Sequence, residues 1–117
     1  MKRRVVLLST AALALLFLAS CFYLGNMQPV ASFTAQPTHG FTPLDVAFDA
    51  SASHDPDGTI AAYLWDFGDG QTSPESVFPF THEFTVQSAS EVFTVVLTVT
   101  DSLGADDTAV QNITVDP

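Results

Sequence analysis

Downstream of Pro29 the apolar residues return at every second position, and no stretch shows the three-and-four spacing of a helical stripe. That period restricts the chain to strands that bury one face and wet the other. Phe93, Val95, Leu97 and Val99 alternate with Thr94, Val96, Thr98 and Thr100, and Leu44, Val46, Phe48 and Ala50 alternate with Asp45, Ala47 and Asp49. Tyr63, Trp65 and Phe67 share a face, Ala31, Phe33 and Ala35 open the series, and Ile113 and Val115 close it. Turn chemistry separates these runs. Asp55-Pro56-Asp57-Gly58 has proline second and glycine fourth, as a type I turn prefers, Asp69-Gly70 suits a tight hairpin, and Asp101-Ser102-Leu103-Gly104 again runs from Asp to Gly. About seven short strands with one continuous set of inward aromatics predict an all-β, two-sheet sandwich.

The first residues follow other rules. Lys2, Arg3 and Arg4 precede an uncharged, mostly apolar run from Val5 to Leu24, twenty residues long. As a helix it would rise about 30 Å, the thickness of a bilayer's hydrocarbon core. Residues 1–27 are therefore expected to be a signal peptide or membrane anchor, and residues 28–117 the sandwich. Leu18-Ala19-Ser20-Cys21 resembles the lipobox of bacterial lipoprotein precursors. That resemblance implies cleavage before Cys21 and a lipid on its thiol. Whether the run is cleaved or retained as a transmembrane helix, the basic start stays on the cytoplasmic side and the domain lies outside.

Charge is divided just as sharply. All three basic residues lie at positions 2–4, while all thirteen Asp and Glu lie between Asp45 and Asp116. The domain's uncompensated negative field disfavours nucleic acid and anionic headgroups and favours cationic partners and metal ions. Cys21 is the only cysteine, which excludes an internal disulfide. His39, His54 and His82 are too scattered for a zinc site, and no nucleophile stands in the order of a catalytic triad. Asp66 and Asp69 flank Gly68 in a turn, not the concave site that a glycosidase pair needs, so no enzymatic activity is expected. Asp66 is expected to hold its turn by a hydrogen bond, and His82 to tether a loop. Asn112-Ile113-Thr114 matches the glycosylation triplet, but in a predicted strand.

Ser53-His54-Asp55-Pro56-Asp57-Gly58 followed by Tyr63-Leu64-Trp65-Asp66-Phe67-Gly68-Asp69-Gly70 resembles the signature of the polycystic-kidney-disease (PKD) domain. Thr81-His82-Glu83-Phe84, the strand Phe93–Asp101 and the closing Asn112–Val115 extend the resemblance over nearly the whole exported portion. It implies an immunoglobulin-like sandwich, found on cell surfaces and in secreted proteins as an accessory module. It names a fold and a location more than a function. Two departures stand out: Thr85–Glu91 is longer than the family's usual connector, which predicts a protruding loop, and Phe93 replaces the family's usual tyrosine.

Three sets of residues are candidates for function. Asp55, Asp57 and Asp101 sit in turns that are expected to meet at one end of the sandwich, where calcium would find carboxylate oxygens, as the resemblance to calcium-binding PKD domains also implies. Turn geometry alone explains each of them equally well. Leu64, Thr94, Val96 and Thr98, with Ala62, point away from the core without charge and are expected to form a protein-contact face on another membrane or surface protein. Phe78, Phe80 and Phe84 would serve the alternative function, glycan binding, if their rings were exposed, although core burial of at least two is the expectation.

Overall fold

The computed structural model describes residues 25–117. The apolar run Val5–Leu24 and Cys21 lie outside the described residues. Among the described residues no helix is long and apolar enough to cross a membrane.

Eight strands form where the alternation placed them and at two places where it did not: β1 (Thr34–Gln36), β2 (His39–Phe41), β3 (Leu44–Asp49), β4 (Ile60–Asp66), β5 (Thr72–Ser73), β6 (Phe80–Phe84), β7 (Glu91–Asp101) and β8 (Asp106–Asp116). They build two sheets, one of three strands in the order β1-β3-β6 and one of five in the order β2-β8-β7-β4-β5. The expected sandwich is present, with eight strands instead of about seven. The surplus comes from short edge strands. β2 has three residues and pairs in parallel with the end of β8, His39 opposite Thr114 and Phe41 opposite Asp116. β5 has two residues, which continue the ladder beside Trp65 and Asp66.

The core lies between the sheets and is mainly aromatic. Phe33, Phe48, Trp65, Phe67 and Phe84 are buried, and Phe78 and Phe80 pack half-buried against them. Trp65 sits at the centre. Its ring centre is 5.1 Å from those of Phe33 and Phe80, both edge-on, and 5.4 Å from that of Phe48. Tilted and edge-to-face contacts let the positive ring edge of one residue meet the negative face of the next. The indole N–H donates to the Glu75 carbonyl at 3.0 Å, so the one polar atom of the central side chain is satisfied. Phe93 is buried against Phe84 at 5.0 Å.

The long connector before β7 is pinned at both ends. Val86 is buried and its amide donates to Thr42 Oγ1 at 3.0 Å, while the Ser90 hydroxyl donates to Asp116 at 2.6 Å. An apolar residue every second position explains Val86 as an extension of the β6 pattern through Phe84.

Candidate functional site

The antiparallel register of β4, β7 and β8 decides what each end and face of the five-stranded sheet carries. Ile60 lies opposite Asp101 and Asp66 opposite Val96, so the β3–β4 loop and the β7–β8 turn meet at one end, and the β4–β5 turn falls toward the other.

At the first end, Asp101 is buried, and its Oδ1 accepts the amides of Leu103 and Ala105, both at 2.9 Å. These bonds fold the β7–β8 turn, which Gly104 completes with a φ of 91°. The other oxygen, Oδ2, is buried and has no hydrogen-bond partner among the described residues, and the same holds for Asp55 Oδ1. Asp57 Oδ2 accepts the Met27 amide at 2.8 Å. The carboxyl of Asp55 is held above its ordinary 3.8, first by burial and then by its contact with Asp57 and repulsion from Asp57 and Asp101. Asp55 and Asp57 are therefore in contact, and Asp101 is near enough for its charge to act on Asp55. Among the described residues, no three or more His, Cys, Asp or Glu side chains form a group placed to hold a metal ion. A cation there would need backbone carbonyl oxygens as well, which calcium accepts. An open depression of about 270 Å³ lies beside Asp55 and Gly58, floored by Ile60 and Tyr63.

The chain enters the domain at this same end. Val30 and His54 exchange both backbone hydrogen bonds, at 2.7 and 3.0 Å. The Ala31 amide donates to Asp107 at 2.8 Å. The buried Ser53 hydroxyl donates to the Ser32 carbonyl at 2.8 Å and accepts its amide at 2.9 Å. With the bond from Met27 to Asp57, the stretch 27–32 is fastened at four successive points. A Ser at 53 and Asp at 57 and 107 are the sequence's means of doing so; their pairing across 21 to 76 residues was beyond local pattern.

At the other end the carboxylates are matched. Asp66 Oδ1 accepts the Gly68 amide and Asp69 Oδ1 the Gln71 amide, both at 3.0 Å. Each Asp thus bonds its own backbone two residues on. Asp69 Oδ2 accepts from His82 Nε2 at 2.7 Å, and the His82 ring lies flat on Phe67 with centroids 3.8 Å apart. The expected roles of Asp66 and His82 are both met here. The turn is wider than a two-residue hairpin, since the Phe67 amide bonds the Gln71 carbonyl. Gly68 is required: its φ is 75°, and a Cβ there would lie 2.6 Å from the Thr94 carbonyl oxygen.

The outer face of the five-stranded sheet gathers Leu64, Thr94, Val96 and Thr98. Leu64 lies opposite Thr98, Val96 opposite Val110, Thr94 opposite Asn112 and Thr98 opposite Thr108. Leu64 is 51% exposed, Val110 56% and Val92 61%. Val110 and Val92 were missed at the level of sequence. The alternation Asp107, Ala109, Gln111, Ile113, Val115 would have assigned Val110 to the outside. Thr94 Oγ1 donates to Asn112 Oδ1 at 3.0 Å, so the asparagine of the glycosylation triplet is engaged across the sheet. Of the three candidate glycan-stacking rings, Phe84 is fully buried and Phe78 and Phe80 pack on Trp65, so they form no exposed platform.

Comparison with known proteins agrees with this architecture. The chain is 38% identical over 91 residues to the pre-pro-metalloprotease PrtV of Vibrio cholerae, a match covering 78% of this chain and 9% of that protein. It superimposes on the crystal structure of the PKD1 domain from that metalloprotease with a TM-score of 0.63 and 41% identity, covering 78% of this chain and 100% of that one. A solved structure of promiscuous carbohydrate-binding modules from the β-sandwich superfamily matches with a TM-score of 0.71 and 38% identity, covering 78% of this chain and 35% of that one. The family model described as PKD domain matches residues 26–115, and the chain belongs to that family.

Proposed function

We propose that the chain is a membrane-anchored, extracytoplasmic, non-enzymatic PKD module that makes a protein contact through the outer face of its five-stranded sheet, as an accessory subunit of a membrane or surface assembly. One observation carries this. In a domain with thirteen carboxylates and no Lys or Arg, that face carries Leu64, Val96, Val110 and four polar but uncharged neighbours, Thr94, Thr98, Thr108 and Asn112, with a single carboxylate, Asp66, beside Val96 at the turn. Depletion of charge around apolar side chains marks the centre of interfaces more than of free surface. Anchoring comes from the apolar run Val5–Leu24 or from a lipid on Cys21; the intact mass of the protein extracted from its membrane distinguishes them. The contact is tested by recovering the assembly from native membranes with wild-type protein and with the Leu64→Glu/Val110→Glu variant. The variant should melt like wild type and lose the partner. Unchanged recovery of the same partner rejects the face.

Glycan binding is the second function, favoured by the likeness to carbohydrate-binding modules and by one exposed ring, Phe41, which is 73% exposed on β2. Affinity electrophoresis in cell-wall polysaccharide, with Phe41→Ala as control, tests it. Retardation that Phe41→Ala abolishes supports the sugar.

We also propose that the Asp55, Asp57 and Asp101 end takes calcium. The donor set fits a hard cation, because two buried carboxylate oxygens there, Asp55 Oδ1 and Asp101 Oδ2, have no partner among the described residues. The ion would neutralise those carboxylates and tie the two loops to the entering stretch 27–32.

A further inference from the structure

We infer that the Asp55, Asp57 and Asp101 end of the sandwich stands against the lipid headgroups and the His39–Leu44 end is carried outward; this rests on the membrane-anchored function proposed above. The link is the reason. The stretch 27–32 is fastened to that end through Met27 to Asp57, Val30 to His54, Ala31 to Asp107 and Ser32 to Ser53. Only Gly25 and Asn26 stand between Met27 and Leu24, the last residue of the apolar run. Three residue steps reach at most roughly 10 Å even when fully extended. If the anchor is instead a lipid on Cys21, six steps reach about 20 Å.

The sandwich is longer than either tether. β7 runs eleven residues from Glu91 at the far end to Asp101 at the near one, roughly 33 Å of strand. The far end therefore cannot take the place of the near end against the headgroups, with the near end carried outward, without the four fastenings giving way. Leu103, 75% exposed at the tip of the β7–β8 turn, belongs to the near end, and Phe41 to the far one. Thirteen carboxylates would keep an untethered domain away from an anionic surface. The short link imposes the approach, and repulsion along the flanks favours an upright domain over a recumbent one. The outer sheet face is then presented sideways, so its partner is a neighbour in the same membrane that rises beside it.

Amide spectra of the full chain in phosphatidylcholine nanodiscs, with and without a gadolinium-chelating headgroup lipid, test the orientation. Signals of Gly58, Leu103 and Gly104 should lose intensity several-fold more than those of Gly40, Gly70 and Ser90. Uniform loss, or greater loss at the far end, in protein that remains with the nanodisc overturns the orientation alone. Protein that does not associate with the disc overturns the anchored function and the orientation with it. A long Gly-Ser insertion after Asn26 must even out the losses, and a pattern that survives the insertion overturns the short link as its cause.

Discussion

Asp66 and Asp69, at one end of the sandwich, and Asp55 and Asp101, at the other, are all turn aspartates, but only the first pair is matched from within. Asp66 and Asp69 accept the amides of Gly68 and Gln71, and the second oxygen of Asp69 accepts from His82. Asp101 gives one oxygen to two amides and buries the other, and Asp55 likewise buries one oxygen, with no partner for either among the described residues. The same residue type thus builds a closed turn where a histidine and backbone donors face it, and a responsive one where other carboxylates do. A closed end should be sensitive to side chains and indifferent to solution conditions; the open end should show the reverse.

The largest expected effect is at the closed end. Gly68→Ala places a methyl 2.6 Å from the Thr94 carbonyl at a φ of 75°, so backbone must move. It should cost about 3 kcal/mol or more, beyond the usual range for a point substitution. Gly104→Ala has a similar φ of 91° but open space around it. Left-handed backbone alone costs roughly 1–2 kcal/mol. Urea unfolding of residues 25–117 measures both. This portion is expected to fold alone, since the PKD1 domain it superimposes on stands by itself as a crystal structure. Equal costs would show that the closed end is no tighter than the open one.

Calcium should do the opposite and act only on the open end. An ion at a hundredfold excess over its dissociation constant stabilises by about 2.7 kcal/mol. Melting should therefore shift upward in calcium relative to a chelator, the shift should vanish in Asp101→Asn, and Asp69→Asn should keep it. Identical melts of the wild type in calcium and chelator reject the cation.

Two histidine–aspartate pairs at one distance give a finer contrast. His82 and Asp69, 2.7 Å apart, have side chains 12% and 16% exposed, whereas His39, also 2.7 Å from Asp116, is 64% exposed. Removing a sequestered partner leaves Asp69 poorly solvated, so His82→Ala should cost about 1–2 kcal/mol. His39→Ala, in solvent, should cost less than about 0.5 kcal/mol. The same unfolding curves read both, and equal losses would mean that burial of the Phe67 stack adds nothing.

Local sequence was enough for what is periodic or self-bonded. Trp65 and Phe67 could be placed inside because two-residue alternation fixes a face without knowledge of the partner strand, and Asp66 could be given its turn because its acceptor serves an amide two residues away. β2 and β5 were illegible since three and two residues carry no period, and their pairing with β8 and β4 is decided by the register of the long strands. The apolar outer face was half read: Leu64 and Val96 follow from their own strands, the same alternation carried one step further along β7 and along β8 would have added Val92 and Val110, and what local pattern could not supply is the register that sets Val96 opposite Val110. The calcium candidates could be named from turn chemistry, but the orphaned oxygens depend on how three distant segments close over them.

The smallest effect is the pH response of Asp55, and its sign separates the two kinds of carboxylate. Burial first, then the contact with Asp57 and repulsion from Asp57 and Asp101, hold Asp55 above its ordinary 3.8. The folded state then binds its proton more tightly than the unfolded state, so whatever Asp55 contributes is present at acid pH and lost as pH rises through the raised value. Asp116, bonded by Ser90 and His39, and Asp49, bonded by Ser51, are held below 3.8. Their contribution is present above 3.8 and lost as pH falls through their lowered values. Acidification from neutrality should therefore first raise the melting temperature through Asp55 and lower it only once Asp116 and Asp49 take up protons. In chelator, so that no cation intervenes, Asp55→Asn should raise the melting temperature at pH 7 and flatten the profile above pH 3.8. A lower melting temperature for that variant would mean that the Asp55 charge is balanced inside the fold after all, and that the open end is closed.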